Sequence, residues 1–195
     1  MFRLFIEWLE RQTALVLLLR KIVELNFRKE RAAIRKHLTL NTGERIVDIG
    51  CGTGEFAPLF PIERYDGIDL DPANIAYAKR HYPHRFQVGD ALTLPFPDAS
   101  FDAALICGVL HHLSDNDARA ALAEVRRVLK PSGRALVMED TKTERLVSRM
   151  MHGMDQGAHI RSTETWDIMM KERFTIRESW TFTSGICYYT GFLLV

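Results

Sequence analysis

Cysteine is scarce in this chain. Cys51, Cys107 and Cys187 are the only three in 195 residues, none stands in a C-x-x-C pair, and any disulfide scheme leaves one over. That excludes a disulfide-built scaffold and fits a reducing, cytoplasmic setting. Long apolar runs are lacking too. The N-terminal run Ala14–Leu19 is six residues long, between Arg11 and Arg20–Lys21, far short of a bilayer-spanning helix. No small-residue cleavage site follows it, so a mature, unprocessed chain without a transmembrane segment is expected. A charge excess is also missing: 26 basic and 25 acidic side chains leave +1. No basic patch alternates with aromatics, so nucleic acid is not expected as a partner. There is no G-x-x-x-x-G-K-[ST], which excludes a P-loop. His111 and His112 are adjacent and cannot chelate from one helix face, and no H-x-x-x-H or cysteine pair supports them, so no metal is expected. Repeats and low-complexity segments are absent.

What is present fits one α/β domain, with 47% hydrophobic and 26% charged residues placing the chain among ordinary globular proteins. No glycine or proline occurs before Gly43, and Phe5, Trp8, Leu9, Leu15, Leu19, Ile22, Val23 and Leu25 keep to helical spacing. Residues 1 to about 38 are therefore expected to be helical, with a division into an N-terminal helical lid (1–40) and a main domain (41–195). From Arg45 onward "RIVDIG", "YDGIDL", "RFQVGD", "FDAALICGVL" and "RALVMED" read as strands. Between them, "CGTGEFAPLF" reads as a glycine exit into a short helix. "DPANIAYAKRHY" is a helix with Asp71 as N-cap and Pro72 at its first position. "DARAALAEVRRVLK" is a helix with Ala118, Ala121, Leu122, Val125, Val128 and Leu129 on its apolar face, ended by Pro131 and Gly133. This alternation implies βαβ units and a parallel sheet covered on both faces. The tail differs: a polar loop "HGMDQGAHIR", a helix "STETWDIMMKE", then "FTIRESWTF" and "ICYYTGFLLV" separated by Ser184–Gly185, an expected antiparallel hairpin at the sheet edge.

The stretch "VDIGCGTG", residues 47–54, concentrates three glycines at the end of the first strand. Packing alone does not require so much backbone freedom, so a ligand is expected to approach the chain there. Asp69, nineteen residues after Gly50 and at the end of the next strand, stands at the interval of a carboxylate that takes ribose hydroxyls. A dinucleotide fingerprint needs a third glycine where this chain has Glu55. Asp48, Glu55, Asp69, Asp71 and Asp90 make the neighbourhood acidic, with nothing basic in the loop to balance a pyrophosphate. At reduced dielectric such a site repels phosphates and favours a cationic, phosphate-free nucleoside. S-adenosyl-L-methionine has that chemistry.

The segments "VDIGCGTG", "YDGIDLDPANIAYAKRHYP", "FQVGDALTLPFPDASFDAALICGVLHHL" and "EVRRVLKPSGRALVMED" run in this order over residues 45–140. As a set, the chain resembles class I S-adenosylmethionine-dependent methyltransferases, of the group similar to the ubiquinone/menaquinone-biosynthesis enzymes. The resemblance implies an α/β fold: a Rossmann-like, doubly wound seven-stranded sheet, mostly parallel, with a C-terminal antiparallel hairpin and helices on both faces. It also implies roles. Asp48 would help hold the methionine ammonium, and Gly50, Cys51 and Gly52 would line the methionine and ribose. Asp69 would accept from the ribose hydroxyls and Leu70 would pack on the adenine face. Asp90 would accept from the adenine amine, Ala91 would offer its N–H to the ring, and Cys107 would present its carbonyl to the ammonium. Cys51 and Cys107 are read as packing residues, not nucleophiles.

For the methyl acceptor the same resemblance points to a roof made by the N-terminal helices, the segment after the fifth strand and the approach to the last strands. Trp8, His112, His152 and Tyr188 are the expected substrate contacts, and His111, following the fourth strand, is the expected general base. The activity expected is methyl transfer to a small, partly apolar molecule. Two alternatives stand beside it: a lipid-like acceptor reached by peripheral contact of residues 1–38 with a membrane surface, and a non-catalytic S-adenosylmethionine-binding protein.

Overall fold

The computed structural model describes residues 25–143 and 159–195. The expectations for Trp8, for His152 and for helix before Leu25 lie outside these residues. The strands are β1 (Ile46–Ile49), β2 (Tyr65–Asp69), β3 (Arg85–Val88), β4 (Phe101–Cys107), β5 (Leu129–Asp140), β6 (Ile176–Ser184) and β7 (Cys187–Leu194). They form one sheet in the order β3-β2-β1-β4-β5-β7-β6. The first five pair in parallel and the last two antiparallel, β7 lying between β5 and β6. This is the Rossmann-like doubly wound sheet with its expected C-terminal hairpin. β1 has all four residues buried because both faces of the sheet are covered.

The helices are α1 (Arg28–His37), α2 (Pro72–His81), α3 (Asp115–Val128) and α4 (Thr163–Lys171). Their starts follow from local chemistry. Asp71 accepts from the Ala73 N–H at 2.8 Å, while Ser114 and Ser162 accept from the N–H groups of Asp117 and Thr165 at 3.2 Å each. The expected apolar stripe of α3 is buried against one sheet face together with Trp166, Met169 and Met170 of α4. The other face is covered by Ile34 of α1, Ile75 and Ala78 of α2, and the rings of Phe27, Phe56, Phe60 and Tyr65. Residues 27–38 thus belong to the same core as the strands.

Three boundaries differ from the sequence reading. The run before Leu38 is not one continuous helix: Asn26 and Phe27 adopt left-handed φ of 59° and 55°, a conformation asparagine tolerates and Phe27 is held in by burial against Phe56, 5.9 Å between ring centroids. "CGTGEFAPLF" forms no α-helix but turns ending in a single 3-10 turn, Ala57–Leu59, because Gly50, Gly52 and Gly54 all take positive φ. Helix α3 stops at Val128, and Leu129 already belongs to β5, paired with Phe101. The ladder resumes at Ala103–Arg134, so Pro131 and Gly133 lie within an irregularity of the strand and do not mark the helix end.

Candidate functional site

From β1 the chain winds outward through β2 and β3, then returns to place β4 on the other side of β1. At this reversal the carboxyl ends of β1, β2 and β4 border a cleft of about 320 Å³, the position where doubly wound sheets take ligands. Its floor is the glycine turn. The N–H groups of Gly50 and Cys51 both donate to the Ile68 carbonyl, at 2.8 and 2.9 Å, pinning the turn to β2. Gly50 has φ +71°, and a Cβ there would collide with the Val109 side chain. Gly52 has φ +52° but a Cβ there would meet nothing within 4 Å. The first glycine is required by packing and backbone, the second by backbone with open space beside it.

Asp69 ends β2 on the cleft wall. Its Oδ2 accepts from the Gly52 N–H at 2.8 Å. Its Oδ1 accepts from the Asp71 N–H at 2.9 Å and from Asn74 Nδ2 at 3.2 Å. Leu70 stands beside it with 69% of its surface exposed. Asp90 follows β3, its Oδ1 taking the Leu92 N–H at 2.9 Å, and Ala91 is next to it on the wall. Opposite, the wall is formed by Cys107, Gly108, Val109 and His112. Of the residues expected to meet the ligand, Gly50, Gly52, Asp69, Leu70, Asp90, Ala91 and Cys107 are brought together around this cleft.

Asp48 and Cys51 are not on its wall. Asp48 is buried in β1 and takes the Tyr65 phenol at 2.6 Å. Burial, opposed by that hydrogen bond and assisted by the nearby Asp69 charge, pushes the Asp48 carboxyl up to about 7. The Cys51 side chain packs in the core beneath the turn. Burial first, then the Asp48 and Asp69 charges, drive its thiol far above the ordinary range, which leaves it no nucleophile. The acidic neighbourhood is smaller than the sequence suggested. Glu55 turns away to Arg31 and Tyr82, each at 3.2 Å, and Asp71 caps α2, so among the described residues Asp69 and Asp90 are the carboxylates on the cleft wall.

On the far side, β4 runs into a 3-10 turn, Leu110–His112. His112 is exposed and faces the cleft, whereas His111 is buried behind Gly108 and is not on the wall. Its ring Nδ1 lies 2.8 Å from Glu139 Oε2. Tyr188 is half-buried on β7, its carbonyl taking the Thr141 N–H at 2.8 Å, and it does not line the cleft; its neighbour Tyr189 places its hydroxyl near Gly108. Arg161 is also buried: it stacks 4.7 Å over Trp166 and donates to the carbonyls of Leu110 (3.0 Å) and Leu113 (2.8 Å). The residue sequence reading missed is Glu139. Its only signal was an acid closing an apolar strand, since its partners are backbone N–H groups 28 to 30 residues earlier.

A family model described as "Methyltransferase domain" matches residues 47–137. Among curated relatives, the demethylmenaquinone methyltransferase of Thermus thermophilus is 38% identical over 105 residues, which is 49% of this chain and 47% of that protein. The O-methyltransferase cnsE of Penicillium expansum is 35% identical over 108 residues, 50% of this chain and 38% of that protein. The chain spans about half the length of the curated relatives it matches, or less. Among solved structures, geranyl diphosphate C-methyltransferase from Streptomyces coelicolor, in complex with Mg2+, geranyl diphosphate and S-adenosyl-L-homocysteine, superposes with a TM-score of 0.71 at 15% identity. That match covers 85% of this chain and 78% of the other. At that identity the likeness is one of fold.

Proposed function

We propose, from the match of residues 47–137 to a methyltransferase domain model, that the cleft binds S-adenosyl-L-methionine and that the chain transfers its methyl group to a small acceptor. The observation that carries this is the charge of the wall. Among the described residues that line it, Asp69 and Asp90 are the carboxylates, and no lysine or arginine is present. A pyrophosphate would meet repulsion there, and a sulfonium nucleoside attraction.

When bound, the cofactor supplies a methyl group on a positively charged sulfur, already activated for displacement. Asp69 accepts from the ribose hydroxyls. Three donors already use its oxygens, so one lone pair is open and the 3.2 Å bond from Asn74 is the one that yields. Leu70 covers the adenine face, Asp90 takes the exocyclic amine and Ala91 offers its N–H. Gly50 and Gly52 admit the ligand to the backbone, and Cys107 turns its carbonyl to the ammonium. Cys51 supports the turn from below. Asp48, set behind it, acts on the ammonium through charge and not contact. The acceptor enters on the His112 side, where the chain's task is positioning, which alone can contribute roughly 7–11 kcal/mol to such a displacement.

Titration calorimetry with S-adenosyl-L-homocysteine and, separately, with NAD tests this. Binding of the first and not the second is expected. Binding of NAD alone would overturn the assignment.

A further inference from the structure

Between β3 and β4 the chain runs from Gly89 to Ser100 without forming a helix. Tyr65 and Phe86 belong to the core on the α2 side of the sheet. Strand alternation therefore turns Asp66, its partner Arg85, and Gln87 to the α3 side. There Pro95 and Phe96 of the helix-free connection border a cavity of about 420 Å³ over β2 and β3, and Lys79 and His84 also line it. It shares no lining residue with the cleft at the glycine turn.

The balance of charge is the reverse of the cleft's. Asp66 accepts from Arg85 Nε at 2.7 Å, from Arg85 Nη2 at 2.9 Å and from Arg45 Nη2 at 2.8 Å. Against burial, which favours the neutral acid, these bonds hold its carboxyl below the ordinary value. It is an anion already engaged by two guanidinium groups. Glu63 gives its carbonyl to Arg85 Nη2 at 2.9 Å and is exposed. Arg45, Arg85 and Lys79 thus outnumber Asp66 and Glu63, and the excess is positive.

What remains unmatched on the wall is mostly donors. Among the described residues, Arg85 Nη1, the Lys79 ammonium and the Gln87 amide have no partner. His84 Nε2 lies 3.1 Å from the Phe60 carbonyl, which can only accept, so Nε2 carries the proton. The buried Nδ1 is left without a partner. An anion nearby favours protonation of that ring, which turns an unmet acceptor into a donor. The apolar part of the wall is held firmly. Phe96 packs edge-on against Phe101, with 4.9 Å between ring centroids.

We propose that this cavity is a second ligand site, for a small organic anion whose carboxylate or phosphate group is held by Arg85 and Lys79 and whose flat apolar body lies on Phe96. Asp66 fixes the Arg85 guanidinium from behind, so Nη1 is ordered before the ligand arrives, and charge-assisted bonds to an oxyanion follow. The Gln87 amide adds a neutral donor. The site does not depend on what the cleft at the glycine turn binds.

The test is titration of the nitrogen-15-labelled full chain with benzoate, phenyl phosphate, inorganic phosphate and benzyl alcohol, followed through backbone amide shifts. Saturable shifts at Arg85–Val88 are expected with at least one aromatic anion, weaker ones with inorganic phosphate and none with benzyl alcohol. The tighter of benzoate and phenyl phosphate assigns the oxyanion. Lys79→Glu and Gln87→Glu should each weaken that ligand roughly tenfold or more, with affinity for S-adenosyl-L-homocysteine unchanged. Shifts that do not saturate, benzyl alcohol binding as well as the anions, or full affinity in a folded Lys79→Glu overturns the proposal. Shifts confined to the glycine turn would place the anion in the other cleft and overturn it equally.

Discussion

Tyr65 donates its phenol to Asp48 Oδ2 at 2.6 Å across the β1–β2 pair, beneath the glycine turn. Burial raises the Asp48 carboxyl from 3.8 to about 7, so between those values the folded state binds a proton that the unfolded chain does not. Stability from this group is full below about pH 4 and is lost as pH rises through 7, a difference of about 4 kcal/mol. Asp48→Asn keeps an acceptor for Tyr65 and removes the charge. Its stability relative to the unsubstituted protein, measured by urea denaturation, should therefore rise between pH 4 and pH 8. A flat difference would show that Asp48 titrates normally.

Gly50 and Gly52 should fail differently. Gly50→Ala strains a left-handed residue, at about 1–2 kcal/mol, and drives a methyl into Val109, at about 1–3 kcal/mol more. Adding Val109→Ala should restore the packing part only, which a double-mutant cycle measures. Gly52→Ala carries only the backbone strain and points its methyl into open space, so it should remain folded and lose affinity for S-adenosyl-L-homocysteine.

Asp69→Ala should weaken S-adenosyl-L-homocysteine binding by roughly ten- to a hundredfold, the loss of about 1.5–3 kcal/mol from a charged acceptor. Calorimetry is the measurement. Because Asp69 also holds the N–H groups of Gly52 and Asp71, the variant's circular dichroism and melting must be followed. Unchanged affinity in a folded variant would remove Asp69 from the site.

Arg161→Met should unfold more easily by about 3–5 kcal/mol, because it strips a buried fork from the carbonyls of Leu110, His159 and Leu113, of which Leu110 keeps the Leu113 N–H. Arg161→Lys should rescue little, since a single ammonium cannot span that fork. The denaturation midpoints of the two variants decide this. A midpoint for Arg161→Lys near that of the unsubstituted protein would mean that charge alone is required.

The strands, the capped helices and the hairpin are legible in the sequence because their signals are local. Asp71–Pro72 opens α2 and Gly185 turns β6 into β7, although Ser184, read from the sequence as part of the turn, closes β6 opposite Cys187. The glycines and Asp69 are legible as a site because backbone freedom at one strand end and an acid closing the next serve a ligand far better than they serve packing. What escapes depends on direction. Glu55 and Asp69 read alike as nearby acids, but one turns to Arg31 and Tyr82 and the other to the cleft. Glu139 finds its donors on a turn that only the fold brings near. The start of β5 is hidden because Leu129 fits the helical stripe as well as it fits a strand beside Phe101.

The position of β7 between β5 and β6 carries a consequence for how the chain is made. On a ribosome β6 emerges before β7, yet its place in the sheet is defined only by β7, which pairs with it from Ile176–Leu194 to Ser184–Cys187. Until the last of these residues leaves the exit tunnel, β5 presents an unpaired edge and β6 has no neighbour to join. Newly synthesised chains therefore pass through an interval with an open, apolar strand edge that invites self-association. Their yield should depend on chaperone supply more than the finished fold's stability would suggest.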